Sequence, residues 1–226
     1  ARIAGCLLGI SNSRRLAYAS SETNVPRVFQ KNPSYDALWN LSSKVQGATY
    51  LSIVPRGGEP YSMVEDGGLD KLKSEFVSIG LSQTKGIVVA PGGRGYDDTL
   101  SHAVRSIWSA VDSVRKSGAI LLIAECREGI GSQGLEMYLT GRISDAKLDR
   151  VEYADGLEEV EYVRKLKNDY SVTLLSTLPE VYVESKLGFR VTSGANEGLG
   201  KVLSSLGRTS KMNVITRACE TLLAKS

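Results

Sequence analysis

The chain has 226 residues and a mass of 24.4 kDa, with 42% hydrophobic and 23% charged residues and a net charge of +3 from 28 bases and 25 acids. This composition excludes a collagen, a disulfide scaffold and a disordered tail, and the length suffices to bury roughly 70% of the extended chain's surface without staples. No Lys/Arg block exceeds two or three residues, so composition offers no ground for a nucleic-acid partner.

From the N-terminus, Ile3–Leu8 reads as a buried first strand in preference to a signal peptide. Tyr35–Val45 reads as a helix, Thr49–Val54 as a strand and Leu69–Val77 as a helix. Between them, Pro55–Pro60 is a turn cluster, either a domain junction or a wide loop. Gly86–Ala90 and Ala119–Ala124 are continuous apolar runs, the signature of strands buried on both faces of a parallel sheet. The helix expected between them, Thr99–Lys116, carries Leu100, Ala103, Val104, Ile107, Trp108, Val111 and Val114 on one stripe. Asp97, Asp98 and Thr99 are its N-cap candidates. Helices follow at Gly134–Thr140 and Leu157–Lys167, around a charge-rich solvated connection from Arg142 to Glu161. The remaining elements are strand Val172–Ser176, helix Pro179–Leu187, short strand Phe189–Thr192, helix Ala195–Leu206, strand Asn213–Thr216 and helix Arg217–Ala224. The alternation predicts an α/β fold, a Rossmann-like, doubly wound, mainly parallel sheet with flanking helices.

Cys6, Cys126 and Cys219 are isolated and odd in number, which fits a reducing compartment and a cytoplasmic protein. The longest apolar runs, such as Ala119 to Ala124, are far too short to cross a bilayer, so no membrane partner is expected.

Ligands of open α/β sheets gather at the carboxyl ends of the strands, and two loops stand out there. The first, Ala90 to Asp98, contains Gly92, Gly93, Arg94, Gly95 and Tyr96 and opens the long helix. It reads either as an anion cradle of backbone N–H groups at a helix start or as a tight turn that needs glycine for its positive φ. It matches neither GxGxxG nor a P-loop. The second, Glu125 to Gly131, holds Glu125, Cys126, Arg127 and Glu128. Its carboxylates form an acid/base pair or a cation site, or else are surface groups paired with Arg127. Cys126 is a nucleophile candidate without a histidine beside it in sequence. His102, the sole histidine, lies off the apolar stripe with Arg105 three residues on. It is either a neutral donor or acceptor near a helix start or part of a solvated polar face. A lone histidine cannot supply the multi-His set of most transition-metal sites, so no metal ligand is assigned.

At these loops the sequence resembles the nickel-dependent lactate racemase family. The resemblance is carried by Gly92-Gly93-Arg94-Gly95-Tyr96-Asp97 with its helix, and by Gly118-Ala119-Ile120-Leu121-Leu122-Ile123-Ala124-Glu125-Cys126-Arg127-Glu128-Gly129-Ile130-Gly131. Val172 to Pro179, the Lys186-Leu187-Gly188-Phe189 turn and the final elements look like that family's C-terminal end, so the match runs from about Thr49 onward. It implies an α/β fold and an active site in a cleft between two domains. In the family the N-terminal domain carries two proton-transferring histidines, a lysine that holds a nickel–pincer nucleotide, and a nickel-binding histidine. The C-terminal domain contributes a Tyr-Gln-x-x-Lys helix motif. Here that stretch is Ser101-His102-Ala103-Val104-Arg105.

His102 and Arg105 are expected to face the mouth formed by Gly92–Asp98 and Glu125–Gly131, where Arg105 would grip a small carboxylate through two parallel hydrogen bonds, and the resemblance implies both as catalytic residues. It implies Gly92, Gly93, Tyr96, Ser101, Glu125 and Arg127 as groups that bind a small carboxylic acid or another small anion. Arg15, ending Gly9 to Arg15, would stand at the cofactor lysine's place, but a guanidinium is a poor nucleophile. No histidine occurs among Thr23 to Val28, where the nickel ligand would fall. Residues 1–55 are therefore expected to be a remnant of the N-terminal domain or a lead-in, and 56–226 the α/β domain. No cofactor is expected for this chain alone, and the nickel–pincer nucleotide only in a complete family member. Racemisation or epimerisation of a 2-hydroxy acid then requires an N-terminal partner domain. The alternative is a small-anion-binding module, or a structural subunit that caps another domain or forms a homo-oligomer.

Overall fold

The computed structural model describes residues 40, 44, 51–56, 59–65, 77–80, 82–207 and 209–224. The expected strand Ile3–Leu8, most of the helices Tyr35–Val45 and Leu69–Val77, and Arg15 lie outside them.

Two strands, β1 (Leu51–Arg56) and β2 (Glu59–Glu65), form an antiparallel hairpin with Pro55 opposite Pro60. Pro55 and Arg56 from the predicted turn cluster are paired with Pro60 and Glu59 across this hairpin. Arg56 stacks its guanidinium over the Tyr61 ring, 3.6 Å from the centroid.

The main body is a five-stranded sheet in the order β7-β6-β5-β4-β8, every neighbouring pair parallel. Its strands are β4 (Thr84–Val89), β5 (Val114–Ile123), β6 (Ser171–Leu175), β7 (Arg190–Thr192) and β8 (Met212–Ile215). β3 (Val77–Gly80) and β9 (Thr221–Ala224) make a separate parallel pair. The chain lays β4 to β7 outward, then returns to place β8 on the other side of β4. Strand order therefore reverses beside β4.

Alternation within the apolar runs fills two layers. Ile87, Val89, Ile120, Leu122, Val172 and Leu174 face the larger core with helices α1 (Leu100–Ala110), α2 (Gln133–Leu139) and α3 (Leu157–Asp169). Ala119 and Leu121 face Val202 and Leu206 on the opposite side. The helix there, α5 (Ala195–Leu206), approaches closely because Gly198 has no side chain. A Cβ at Gly198 would stand 2.8 Å from Leu121 Cδ1. A short helical segment, α4 (Glu180–Tyr182), continues as a π-turn through Val183–Leu187.

Two expectations need correction. The helix expected to reach Lys116 ends at Ala110, a 3-10 turn covers Val111–Ser113, and Val114 already belongs to β5. Ser113 turns its hydroxyl back to the Ala110 carbonyl at 2.7 Å, and Val111 and Val114 are β-branched, so the local balance tips from helix to strand. Arg217–Ala224 is not a helix but a 3-10 turn (Ala218–Glu220) running into β9. That strand exists because it pairs with β3, from far upstream in the chain.

Candidate functional site at the carboxyl end of the sheet

The loops after β4, β5, β6 and β8 meet at one crest, and hydrogen bonds hold the first two together. The Cys126 amide donates to the Asp97 carbonyl and the Glu128 amide to the Asp98 carbonyl, each at 2.8 Å. Arg127 pairs with Asp98 at 3.1 Å, while the other Asp98 oxygen accepts from the Gly95 amide at 2.8 Å. Thr177, after β6, donates from its amide and hydroxyl to the Glu125 carbonyl at 3.0 and 2.9 Å. The β4 loop is tied on its other side by the amides of Ala218 and Cys219, which donate to the carbonyls of Ala90 and Pro91 at 3.0 Å.

These bonds overturn one premise of the cradle. The N–H groups opening α1 are not free for an anion. Leu100 donates to Gly129, Ser101 to Ile130 and Ala103 to Thr99 carbonyls, and His102 donates to Thr99 Oγ1 at 3.3 Å. Thr99, not either aspartate, is the N-cap. What stays open is further back in the turn. Among the described residues, the amides of Gly92, Gly93 and Arg94 make no hydrogen bond, and Gly92 and Gly93 have φ of 138° and 86°.

Tyr96 sits half-buried under this turn, 3.2 Å from where a Gly92 Cβ would be. Its phenol bonds to Glu220, and burial together with that carboxylate raises its pKa. Glu220 is itself buried and accepts from Arg217 Nε at 3.1 Å. Gly92 is favoured by its left-handed backbone angle, and a side chain there would also press on the Tyr96 ring.

His102 is exposed on the first turn of α1, and its imidazole makes no bond among the described residues. Ser101 and Arg105 turn inward instead. Ser101 Oγ donates to Glu159 Oε1 at 2.9 Å, Arg105 Nε donates to the same oxygen at 3.0 Å, and Arg105 Nη2 closes on it as well. Ser132 Oγ donates to Glu159 Oε2 at 3.1 Å. Glu159 is wholly buried on the first turn of α3 and escaped sequence reasoning. Its position between apolar Leu157 and Val160 was the available signal. The structure thus places Gly92, Gly93, Tyr96, Glu125 and Arg127 on the crest loops, leaves His102 exposed on the first turn of α1, and turns Ser101 and Arg105 onto Glu159.

Glu125 and Glu128 are exposed at the crest. Cys126 is buried, with φ of 53°, and desolvation reinforced by Asp97 and Glu125 pushes its thiol up to about 12. A thiol so held is a packing group, not a nucleophile. Among the described residues, no group of three His, Cys, Asp or Glu is placed to hold a metal ion. No helix among them is long and apolar enough to cross a membrane.

No family model matches the chain, and no curated protein matches it in sequence. Among solved structures, it is similar to the lactate racemase apoprotein from Thermoanaerobacterium thermosaccharolyticum, with a TM-score of 0.77 at 18% identity over 93% of this chain. A structural-genomics protein from Thermotoga maritima matches 89% of the chain with a TM-score of 0.56 at 13% identity. The chain spans 55% of the first structure and 56% of the second. At these identities the likeness establishes architecture: the chain has a lactate-racemase-like α/β fold.

Proposed function

We propose that this chain is the crest-bearing α/β body of a racemase- or epimerase-like protein that handles a small 2-hydroxy acid. The single observation that carries this reading is the fold likeness, which covers 93% of this chain but only 55% of the racemase structure. On this reading a second body supplies the paired bases, the nickel–pincer nucleotide and the rest of the cleft. This chain binds and orients. The open amides of Gly92, Gly93 and Arg94 receive the carboxylate, as backbone N–H groups do for anions where glycine permits close approach. His102, exposed on the first turn of α1, hydrogen-bonds the acid or passes a proton at its imidazole. Arg127 is held by Asp98 and sets the charge at the rim. Proton abstraction beside a carboxylate needs a base on each face of the carbon. One histidine does not provide both, so the chain by itself binds without racemising.

The sole histidine makes the test direct. In a lactate titration followed by proton NMR, the His102 ring signals are expected to shift saturably. The lactate C2 proton should persist in D2O with this chain alone. No shift up to tens of millimolar lactate would defeat the binding role, and C2 exchange above background would defeat the division of labour. A non-catalytic small-anion module rests on the same free amides. It predicts a shift of equal size for sulfate or phosphate.

A further inference from the structure

A wholly buried carboxylate is tolerated where its oxygens are paired and hydrogen-bonded, and Glu159 meets both conditions. Its partners come from two places. Ser101 and Arg105 project from α1, and Ser132 closes the loop after β5. Gly156 shapes the seat from behind. A Cβ there would lie 2.1 Å from Ser132 Oγ and 2.7 Å from Glu159 Oε2. Two hydroxyl donors and a guanidinium whose Nε and Nη2 both engage one oxygen make a built receptor for a carboxylate.

We propose that Ser101, Arg105 and Ser132 form a carboxylate-binding site whose occupant is the chain's own Glu159, so that Arg105 is withheld from any external acid at the crest. The proposal rests on the reading above only in saying which groups grip that acid: the amides of Gly92, Gly93 and Arg94 and the imidazole of His102, not Arg105. Glu159 is the residue that sets this choice. Removing its side chain to the β-carbon takes away a CH2–COO⁻ unit, the size of acetate. The emptied seat should then accept a small monocarboxylate from solution.

Glu159→Ala is expected to lower the thermal midpoint by about 10 °C, the size typical of stranding one partner of a buried pair in a chain this long. Acetate should recover part of that loss saturably, beyond sodium chloride at equal ionic strength. The double variant Glu159→Ala/Arg105→Ala should gain nothing from acetate over the salt control. Equal rescue of both variants, or no rescue of the single one, overturns the proposal. If Glu159→Ala does not fold, the unaltered protein decides. Its Arg105 Nε–H resonance is expected to stay in place as lactate is added, and a saturable shift overturns the proposal. His102 and Arg105 both silent toward lactate is the result expected here for Arg105, yet it defeats the binding role of the crest. The two ideas therefore fail separately.

Discussion

Gly131 lies so close to Thr99 that a Cβ built on it would sit 2.4 Å from the Thr99 Cβ. The contact joins the end of the Glu125–Gly131 loop to the residue that caps α1. It holds the cap where its hydroxyl reaches the His102 amide. Gly131 also has φ of 89°, a left-handed angle. Gly131→Ala should therefore destabilise the fold by about 2–4 kcal/mol, from the left-handed penalty and the overpacking together. Urea unfolding measures it. A loss below half a kcal/mol would show that the loop can step aside.

Thr99→Ala removes the cap hydroxyl but keeps the backbone. Its bond to the His102 amide is long at 3.3 Å. The expected cost is about 1 kcal/mol, the ordinary size for losing an N-cap. The same unfolding assay reads it, and Thr99→Ser should recover most of the loss.

Burial sets the chemistry of Cys126. Its thiol stands at about 12 in the folded chain, against 9.0 for the free group, with desolvation as the first cause and Asp97 and Glu125 adding to it. At pH 8, aromatic disulfide reagents should label the half-buried Cys219 well before Cys126, as peptide mapping would show. The linkage has a definite sign. Between pH 9 and 12 the unfolded chain releases the Cys126 proton while the folded one keeps it. The stability this thiol contributes is therefore intact below pH 9 and is lost as pH rises toward 12, at about 1.4 kcal/mol per pH unit at most. Cys126→Ala should flatten that alkaline slope relative to the parent.

Glu197 works in the opposite direction. Lys201 holds its carboxyl down to about 2, helped by the Ser193 hydroxyl and amide, which donate at 2.8 and 3.1 Å. Its contribution is present above the ordinary carboxylate range and fades as pH falls toward 2. Glu197→Gln should lower the thermal midpoint at pH 7, and the gap between the two proteins should close in acid. A gap independent of pH would assign the effect to packing.

The main sheet was legible because its strands are written as local runs. Gly86 to Ala90 and Ala119 to Ala124 pair in parallel across Gly86–Ala119 to Val89–Leu122, joined by α1. The Gly92–Asp98 turn was legible from its glycines. The rest was hidden because its causes are distant in sequence. Nothing within residues 217–224 announces a strand that needs β3, and the pairing of Pro55 with Pro60 depends on the register of β1 with β2. The free amides expected at the start of α1 were taken by Gly129 and Ile130, an arrangement visible only after the two loops meet. Arg105 looked like a group for an external acid because its partner, Glu159, lies 54 residues away.

The return of the chain to the side of β4 has a consequence during synthesis. While the ribosome is making residues 124–211, β4 can have its inner neighbour β5 but shows a bare outer edge of Gly86, Ile87, Val88 and Val89. Such an edge is a template for pairing with other nascent chains. Only the emergence of Met212–Ile215 covers it. Messages cut just before that point should therefore yield sticky, chaperone-bound products, while a few more codons complete the five-stranded sheet and cover β4.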